Sequence, residues 1–140
     1  MRKLVGALLA VIVAACNSDG TTSPGNATLA GDYQLQTANG KAVPTIAIQD
    51  QTGTFEVLRG RIVLRGDLSF VDTLYYRTTA PGGTPQAGSD IRQGTYVQTG
   101  DNVTLTFQTS NGSFVDYPLT WINGNTLAYG EPQLSLIYKK

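Results

Sequence analysis

Apolar and polar side chains alternate one by one along most of this chain. In the segment VLRGRIVLRG, Leu58, Ile62 and Leu64 fall on one face and the arginines fall on the other. The segment NVTLTFQT repeats the pattern with Val103 and Leu105. A period of two residues is typical of a β-strand with one buried face. Because no stretch after residue 30 keeps a helical period, the sequence predicts an all-β domain.

Short turn signals separate the alternating segments. The pairs Asn39-Gly40 and Asn111-Gly112 are the clearest, because Asn-Gly accepts a positive φ angle at both central positions of a tight hairpin. Consecutive hairpins place neighbouring strands side by side, so we predict an antiparallel meander of eight to nine strands. Closure into a barrel removes both open edges of such a meander, and a two-sheet β-sandwich is the alternative. The predicted strands are residues 31–37, 45–48, 54–65, 68–79, 91–99, 102–109, 113–122, 125–129 and 133–139.

The amino terminus carries a short apolar segment behind two basic residues. Arg2 and Lys3 precede the twelve residues 4–15, which are Leu, Val, Ile, Ala and one Gly. That length is typical of a secretory signal and is shorter than the about 20 residues of a membrane-spanning helix. The letters VAAC end the segment at Cys16, the only cysteine of the chain. This pattern resembles the lipobox of bacterial lipoprotein signals.

The lipobox resemblance implies a lipid anchor on Cys16. Cleavage after Ala15 leaves Cys16 as the first residue, with a diacylglycerol on its sulfur and a fatty-acyl chain on its amine. Several acyl chains together hold a protein firmly on a membrane. In such lipoproteins an Asp after the cysteine retains the protein in the inner membrane, so Asn17 implies the outer membrane, facing the periplasm.

Three regions follow from these patterns. Residues 17–29 are polar and contain Gly and Pro, which predicts a flexible tether that reaches roughly 20 Å. We therefore divide the chain into a signal peptide (1–15), the lipidated cysteine with its tether (16–29) and one β domain (30–140). A β domain of this length can bury a core without disulfides.

Five motifs of the β domain carry a second resemblance. They are GDYQLQTANGKAVP, GRIVLRGDLSF, GTYVQTGDNVTLTF, NGNTLAY and the closing LSLIY. Together they make residues 31–140 similar to small lipocalin-like bacterial lipoproteins. The resemblance implies a closed barrel that holds a small apolar or amphipathic ligand. The chain departs from the family where Arg65-Gly66-Asp67-Leu68 replaces a turn such as NADG.

Composition argues against several classes of function. Histidine, the commonest general acid–base group and metal ligand, is absent. Ten basic and ten acidic side chains balance, so the chain lacks the excess of positive charge that nucleic-acid binding requires. No Gly-rich phosphate-binding loop precedes a predicted helix. We therefore expect no catalytic residues, no metal site and no cofactor, and we expect that the chain is not an enzyme.

Aromatic side chains in the predicted strands are the main candidates for ligand contacts. An eight-stranded barrel is either filled by its side chains or holds one small ligand, and aromatic residues suit both arrangements. The candidate ligand-binding residues are Phe70, Asp72, Tyr76, Phe107 and Trp121, with Phe55 and Phe114 as further lining residues.

Asp72 lies in the middle of a predicted strand, and its direction depends on the preceding turn. A two-residue turn at Gly66 and Asp67 places Asp72 opposite Arg61 on the exposed face, which is the arrangement we expect. A shift of one residue turns Asp72 toward the interior, opposite Ile62. A buried carboxylate needs a partner, and Arg77, Arg92 or a ligand cation are the candidates.

The longest predicted loop is residues 78–90, rich in Gly and Pro, which we expect to be a solvated connector or a lid over the barrel mouth. The predicted function is that of a membrane-anchored envelope lipoprotein that binds a small hydrophobic or amphipathic ligand. The alternative is a non-catalytic structural or protein-interaction module, whose protein partner the sequence does not identify.

Overall fold

A computed structural model describes residues 28–140 as ten antiparallel strands without a helix. The predicted signal peptide, Cys16 and the tether up to residue 27 lie outside the described residues. The strands are β1 (Gly31–Ala38), β2 (Lys41–Ala42), β3 (Thr45–Asp50), β4 (Gly53–Leu64), β5 (Ser69–Thr79), β6 (Gln86–Thr99), β7 (Asn102–Gln108), β8 (Phe114–Ile122), β9 (Thr126–Glu131) and β10 (Leu134–Lys139).

Eight of these strands close into a barrel. The strands neighbour one another in the order β2-β1-β10-β9-β8-β7-β6-β5-β4-β3, and β1 also pairs with β4. That closing contact joins residues 31–34 of β1 to residues 61–64 of β4. The short strand β2 and the strand β3 are additional to the closed ring. The prediction of an all-β, antiparallel, closed meander is confirmed, and the β-sandwich alternative does not form.

Inward-facing side chains from the closed strands form the core of the barrel. Because strand side chains alternate between faces, every second position contributes to the core. Burial of these apolar surfaces is the main stabilising contribution to the fold. The side chains that are completely or almost completely buried include Tyr33, Val57, Ile62, Leu64, Phe70, Val103, Leu105, Leu127, Leu136 and Tyr138.

The barrel has two ends with different connections. The turn end carries the tight turns 65–68, 100–101 and 123–125, together with Thr28 and Lys140 at the limits of the described chain. The backbone N–H of Lys140 donates to the oxygen of Asn125 at 3.0 Å, and its ammonium group contacts the backbone oxygen of Thr28. The loop end carries the connections 39–40, 51–52, 80–85, 109–113 and 132–133.

Between β4 and β5, Arg65 lies opposite Ser69, so three residues (66–68) connect the paired positions rather than two. The N–H of Arg65 donates to the oxygen of Ser69 at 2.9 Å, and Leu68 adopts a φ of 66°. The extra residue shifts the register by one position, so Asp72 lies opposite Ile62. Because one residue of shift exchanges the two faces of a strand, our expectation of an exposed Asp72–Arg61 pair is wrong.

The predicted loop 78–90 is also wrong, because most of it continues the β5–β6 hairpin. Thr78 pairs with Gln86, and only residues 80–85 connect the two strands. Gly88 faces the ring of Tyr76, which occupies the space that a side chain at position 88 would need. A glycine that allows close packing of this kind permits a strand where composition indicates a loop.

Gly94 is expected to be essential for the β6–β7 pairing. A Cβ atom at Gly94 would overlap the backbone oxygen of Thr106 on the neighbouring strand. We expect Gly94→Ala to destabilise the domain by about 1–3 kcal/mol, the usual cost of overpacking, in a urea denaturation experiment. The control is Gly66→Ala, where nothing lies within 4 Å of the added atom and a change below about 0.5 kcal/mol is expected. Equal effects of the two substitutions would contradict this account.

Candidate functional site

An ion pair lies inside the barrel, where neighbouring strands β5 and β6 place Asp72 opposite Arg92. The side chain of Asp72 is 0% exposed and that of Arg92 is 12% exposed. The Nη2 atom of Arg92 lies 2.6 Å from Oδ2 of Asp72. Burial of a charge is strongly unfavourable unless it is paired, so each residue depends on the other for its place in the interior.

Aromatic rings surround the arginine of this pair. The guanidinium carbon of Arg92 lies 4.3 Å from the ring centroid of Tyr117 and 5.6 Å from that of Phe107, both within the range of cation–π attraction. Tyr117 in turn stacks on Tyr129 with centroids 4.1 Å apart. Strands β8 and β9 pair only over residues 120–122 of β8. The stack therefore links the two strands on the loop-end side of Thr120, where they are no longer paired.

Several buried polar atoms in this region have no hydrogen-bond partner among the described residues. They include both carboxylate oxygens of Asp72, Nε of Arg92 and the hydroxyl of Tyr138. The Asp72–Arg92 contact is close, but the N–H bonds are not aligned with the carboxylate oxygens as a hydrogen bond requires. An unsatisfied buried polar group costs about 1–3 kcal/mol, so such groups call for a specific explanation.

We call Asp72, Arg92, Tyr117, Tyr129 and Tyr138 the interior polar cluster. Burial raises the pKa of Asp72 to about 6 from its ordinary value of 3.8, although the charge of Arg92 opposes the shift. Burial also raises the pKa of Tyr129 to about 12 and the pKa values of Tyr117 and Tyr138. The tyrosine hydroxyls therefore stay neutral near pH 7, while Asp72 can accept hydrogen bonds as a carboxylate or donate one as an acid.

A cleft at the loop end reaches the cluster. Its volume is about 390 Å³, and it lies between β6 and the beginning of the β7–β8 connection. Asp90 and Arg92 line it from β6, and Phe107 lines it from β7. Arg92 thus borders the cleft on one side and holds Asp72 on the other, which connects the interior polar cluster to the solvent.

The residues chosen from the sequence divide between this site and other places. Asp72 belongs to the interior polar cluster, and Phe107 lies beside Arg92. Phe70 is buried in the apolar core, and Trp121 is half-buried and packs against that core. Tyr76 packs against Phe55 with ring centroids 5.1 Å apart.

One proposed lining residue is not in the interior. Phe114 is 74% exposed, because it begins β8 and strand alternation places it on the face opposite the buried Tyr117 and Leu119. Sequence reasoning named Arg92 only as a possible partner and missed the three tyrosines of the cluster. Their inward positions follow from strand alternation, but their convergence depends on which strands face each other across the barrel.

Residues 28–140 contain no group of three or more His, Cys, Asp or Glu side chains that could hold a metal ion. Within the same residues, no helix is long and apolar enough to cross a bilayer. No protein-family model, no curated protein and no solved structure matches this chain.

Proposed function

We propose that this chain is a non-catalytic, membrane-anchored lipoprotein of the bacterial envelope, and that its barrel binds one small amphipathic molecule. The polar group of the ligand contacts the interior polar cluster, and its apolar part lies against Phe107 and Ile91, the two apolar side chains of an otherwise polar cleft. The lipocalin-like sequence motifs support this proposal, because an eight-stranded barrel is wide enough for one small ligand.

The observation that carries the proposal is the fully buried Asp72 carboxylate, which lies 2.6 Å from Arg92 but has no hydrogen bond of good geometry to either oxygen among the described residues. A hydroxyl or amide group of a ligand can donate to Asp72 and accept from the hydroxyl of Tyr138 or Nε of Arg92. A ligand of this kind satisfies the buried polar atoms that the described residues leave without hydrogen bonds. Arg92 lies 2.6 Å from Asp72 and 3.5 Å from Asp90. One guanidinium therefore faces two carboxylates, and a neutral or cationic polar group fits the cluster better than an anionic one.

The ligand proposal is tested by native mass spectrometry of the full-length protein extracted from host membranes in mild detergent. We expect an additional mass on the wild-type protein and its loss in Asp72→Asn. The control is Asp116→Asn, which changes an exposed carboxylate on β8 that accepts a hydrogen bond from Thr106 at 2.7 Å. Titration with decanol and decanoate distinguishes a neutral from an anionic head group. An additional mass that Asp72→Asn retains would contradict the assignment of the site.

The membrane anchor in this proposal rests on the lipobox pattern that ends at Cys16. Intact-mass measurement of the same preparation tests it directly. The expected mass is that of a chain beginning at Cys16 with three acyl groups, and an unmodified cysteine would contradict the anchor without bearing on the ligand site.

One observation favours the alternative function as a protein-interaction module. Strand β6 pairs with β5 as far as Gln86 but with β7 only from Gly94 onward. Residues 86–93 therefore have one side unpaired among the described strands, and such an edge can accept an extended polypeptide. In that case the extracted protein carries a polypeptide instead of a small molecule, and amide hydrogen exchange in residues 86–93 slows in the complex.

A further inference from the structure

Leu68 occupies a backbone conformation that disfavours leucine. It is the last residue of the three-residue β4–β5 turn and has a φ of 66°. Glycine or asparagine is the usual residue there, because a Cβ atom crowds the backbone in the left-handed region. The domain buries less than half of the side chain, since Leu68 is 55% exposed. Neither the turn nor the core therefore accounts for an apolar residue at this position.

Other exposed apolar side chains occur at the same end of the barrel. Ile122 ends β8 and is 39% exposed, and Val97, near the end of β6, is 62% exposed. Together with Leu68 they belong to three successive hairpins around the turn end. Exposed apolar residues also occur elsewhere, such as Phe114 at the loop end. Two features distinguish the turn end from those places: the positive φ of Leu68, and the start of the described chain at Thr28.

Charges at the turn end nearly balance. The basic groups are Arg65, Lys139 and Lys140, and the acidic groups are Asp67 and Asp101. A surface with so little net charge would gain little from anionic lipid, and the apolar side chains would supply most of any affinity for a lipid surface. The long stems of the basic residues suit the boundary between apolar and aqueous layers.

The described chain begins at this same end, because Thr28 lies against the side chain of Lys140. Eleven residues, 17–27, separate Thr28 from Cys16. A coil of that length spans roughly 20 Å, so an acylated Cys16 keeps the turn end close to the membrane at a high effective concentration.

We propose that the turn end of the barrel rests on the lipid surface and that Leu68 inserts into it. This inference rests on the proposed lipid anchor at Cys16 and adds an orientation to it. The loop end, with the cleft that leads to Arg92, then faces away from the membrane and is open to the aqueous phase. A ligand exchanges through the periplasm in this orientation rather than directly from the bilayer.

A fluorescent label tests the orientation in the lipidated full-length protein. In the lipidated protein the diacylglycerol thioether blocks the sulfur of Cys16, the one cysteine of the sequence, so a cysteine introduced by Leu68→Cys is the only free one. We expect a nitrobenzoxadiazole label at position 68 to shift to the blue on phosphatidylcholine vesicles and to be quenched by spin-labelled lipid. The control is Ser110→Cys, an exposed position at the loop end, where neither change is expected. Equal quenching at both positions, or quenching at position 110 alone, overturns the proposal.

Leu68→Gly separates insertion from folding. Glycine accepts the positive φ, so the melting temperature is expected to stay the same or rise. To measure docking, the same label is placed on Asp101→Cys, with and without Leu68→Gly. We expect Leu68→Gly to lower the equilibrium constant for docking of the turn end on the vesicle about tenfold, from the loss of one buried leucine side chain. An unchanged docking constant, a lowered melting temperature, or docking only on phosphatidylglycerol-containing vesicles overturns the role of Leu68.

Failure of the anchor and failure of docking give different results. An unmodified Cys16 in the intact mass overturns both proposals together. A lipidated protein whose label at position 68 stays fully exposed to water overturns the docking proposal alone.

Discussion

Replacement of Arg92 with methionine is expected to lower the free energy of unfolding by about 3–5 kcal/mol at pH 7. The substitution keeps most of the side-chain volume but leaves the fully buried Asp72 without its counter-charge. Urea denaturation followed by circular dichroism measures this loss. The control is Arg61→Met, which breaks the surface pair with Asp32, whose partners are 57% and 45% exposed. Exposed pairs contribute below about 1 kcal/mol, so this control should change little.

A double substitution distinguishes a lost ion pair from poor packing of methionine. Asp72→Leu together with Arg92→Met removes both charges and is expected to recover most of the stability that Arg92→Met loses. Paired apolar replacements of buried ion pairs are often neutral or stabilising. A double variant that is as unstable as Arg92→Met alone would assign the loss to packing instead of charge.

Lowering the pH from 7 to 4 is expected to stabilise the wild-type protein relative to Asp72→Asn by about 2–3 kcal/mol. The pKa of Asp72 is about 6 in the folded protein, against an ordinary value of 3.8. This difference of about two units corresponds to about 1.4 kcal/mol per unit. The folded state binds the proton more tightly, so the contribution of Asp72 is fully present below pH 4 and is lost as the pH rises through 6. Urea denaturation of both proteins at pH 4, 5, 6 and 7 measures it.

The comparison with Asp72→Asn removes the opposite contributions of surface carboxylates. Hydrogen bonds from Arg61, Thr52 and Ser69 lower the pKa values of Asp32, Asp50 and Asp67, respectively. Those groups make the protein less stable as the pH falls, but they are the same in both proteins and cancel in the difference. Parallel pH profiles for the two proteins would show that Asp72 titrates normally and is not desolvated as described.

Both predictions concern the interior polar cluster, whose buried charges make the fold less stable than an apolar pair at the same positions would. Apart from Thr126, the other buried side chains are apolar or aromatic, and an apolar pair in place of Asp72 and Arg92 would avoid the cost of burying charges. Local features that oppose stability are expected mainly where function requires them. The unfavourable burial of Asp72 and Arg92 therefore supports the interior polar cluster as the site of ligand contact.

Most of the fold could be predicted from the sequence, because the signals that define it are local. Strand alternation and the turns at Asn39-Gly40 and Asn111-Gly112 act over a few residues, and in the structure both pairs lie in turns between strands. Closure could be predicted because a long meander with open edges is unfavourable. The strands near residues 102–109 and 133–139 accordingly appear as β7 and β10.

The candidate site was less accessible to sequence reasoning. Asp72 and Phe107 were named from the sequence, but the tyrosines that complete the cluster come from strands β8, β9 and β10. Their meeting depends on the curvature and stagger of the closed barrel, which no local pattern records. The extension of β6 into the predicted loop 78–90 depends likewise on a contact between Gly88 and Tyr76 on adjacent strands.

The sequence by itself determined the all-β class and the order of hairpins, since each follows from periodicity and turn chemistry, whereas the β1–β4 pairing in the structure decided between a closed barrel and a sandwich. Only the tertiary structure decided which face of β5 is buried. The decision depends on Leu68, which takes a conformation that leucine seldom adopts and adds one residue to the turn. Because side chains alternate with a period of two, that residue moves Asp72 from the surface to the centre of the barrel.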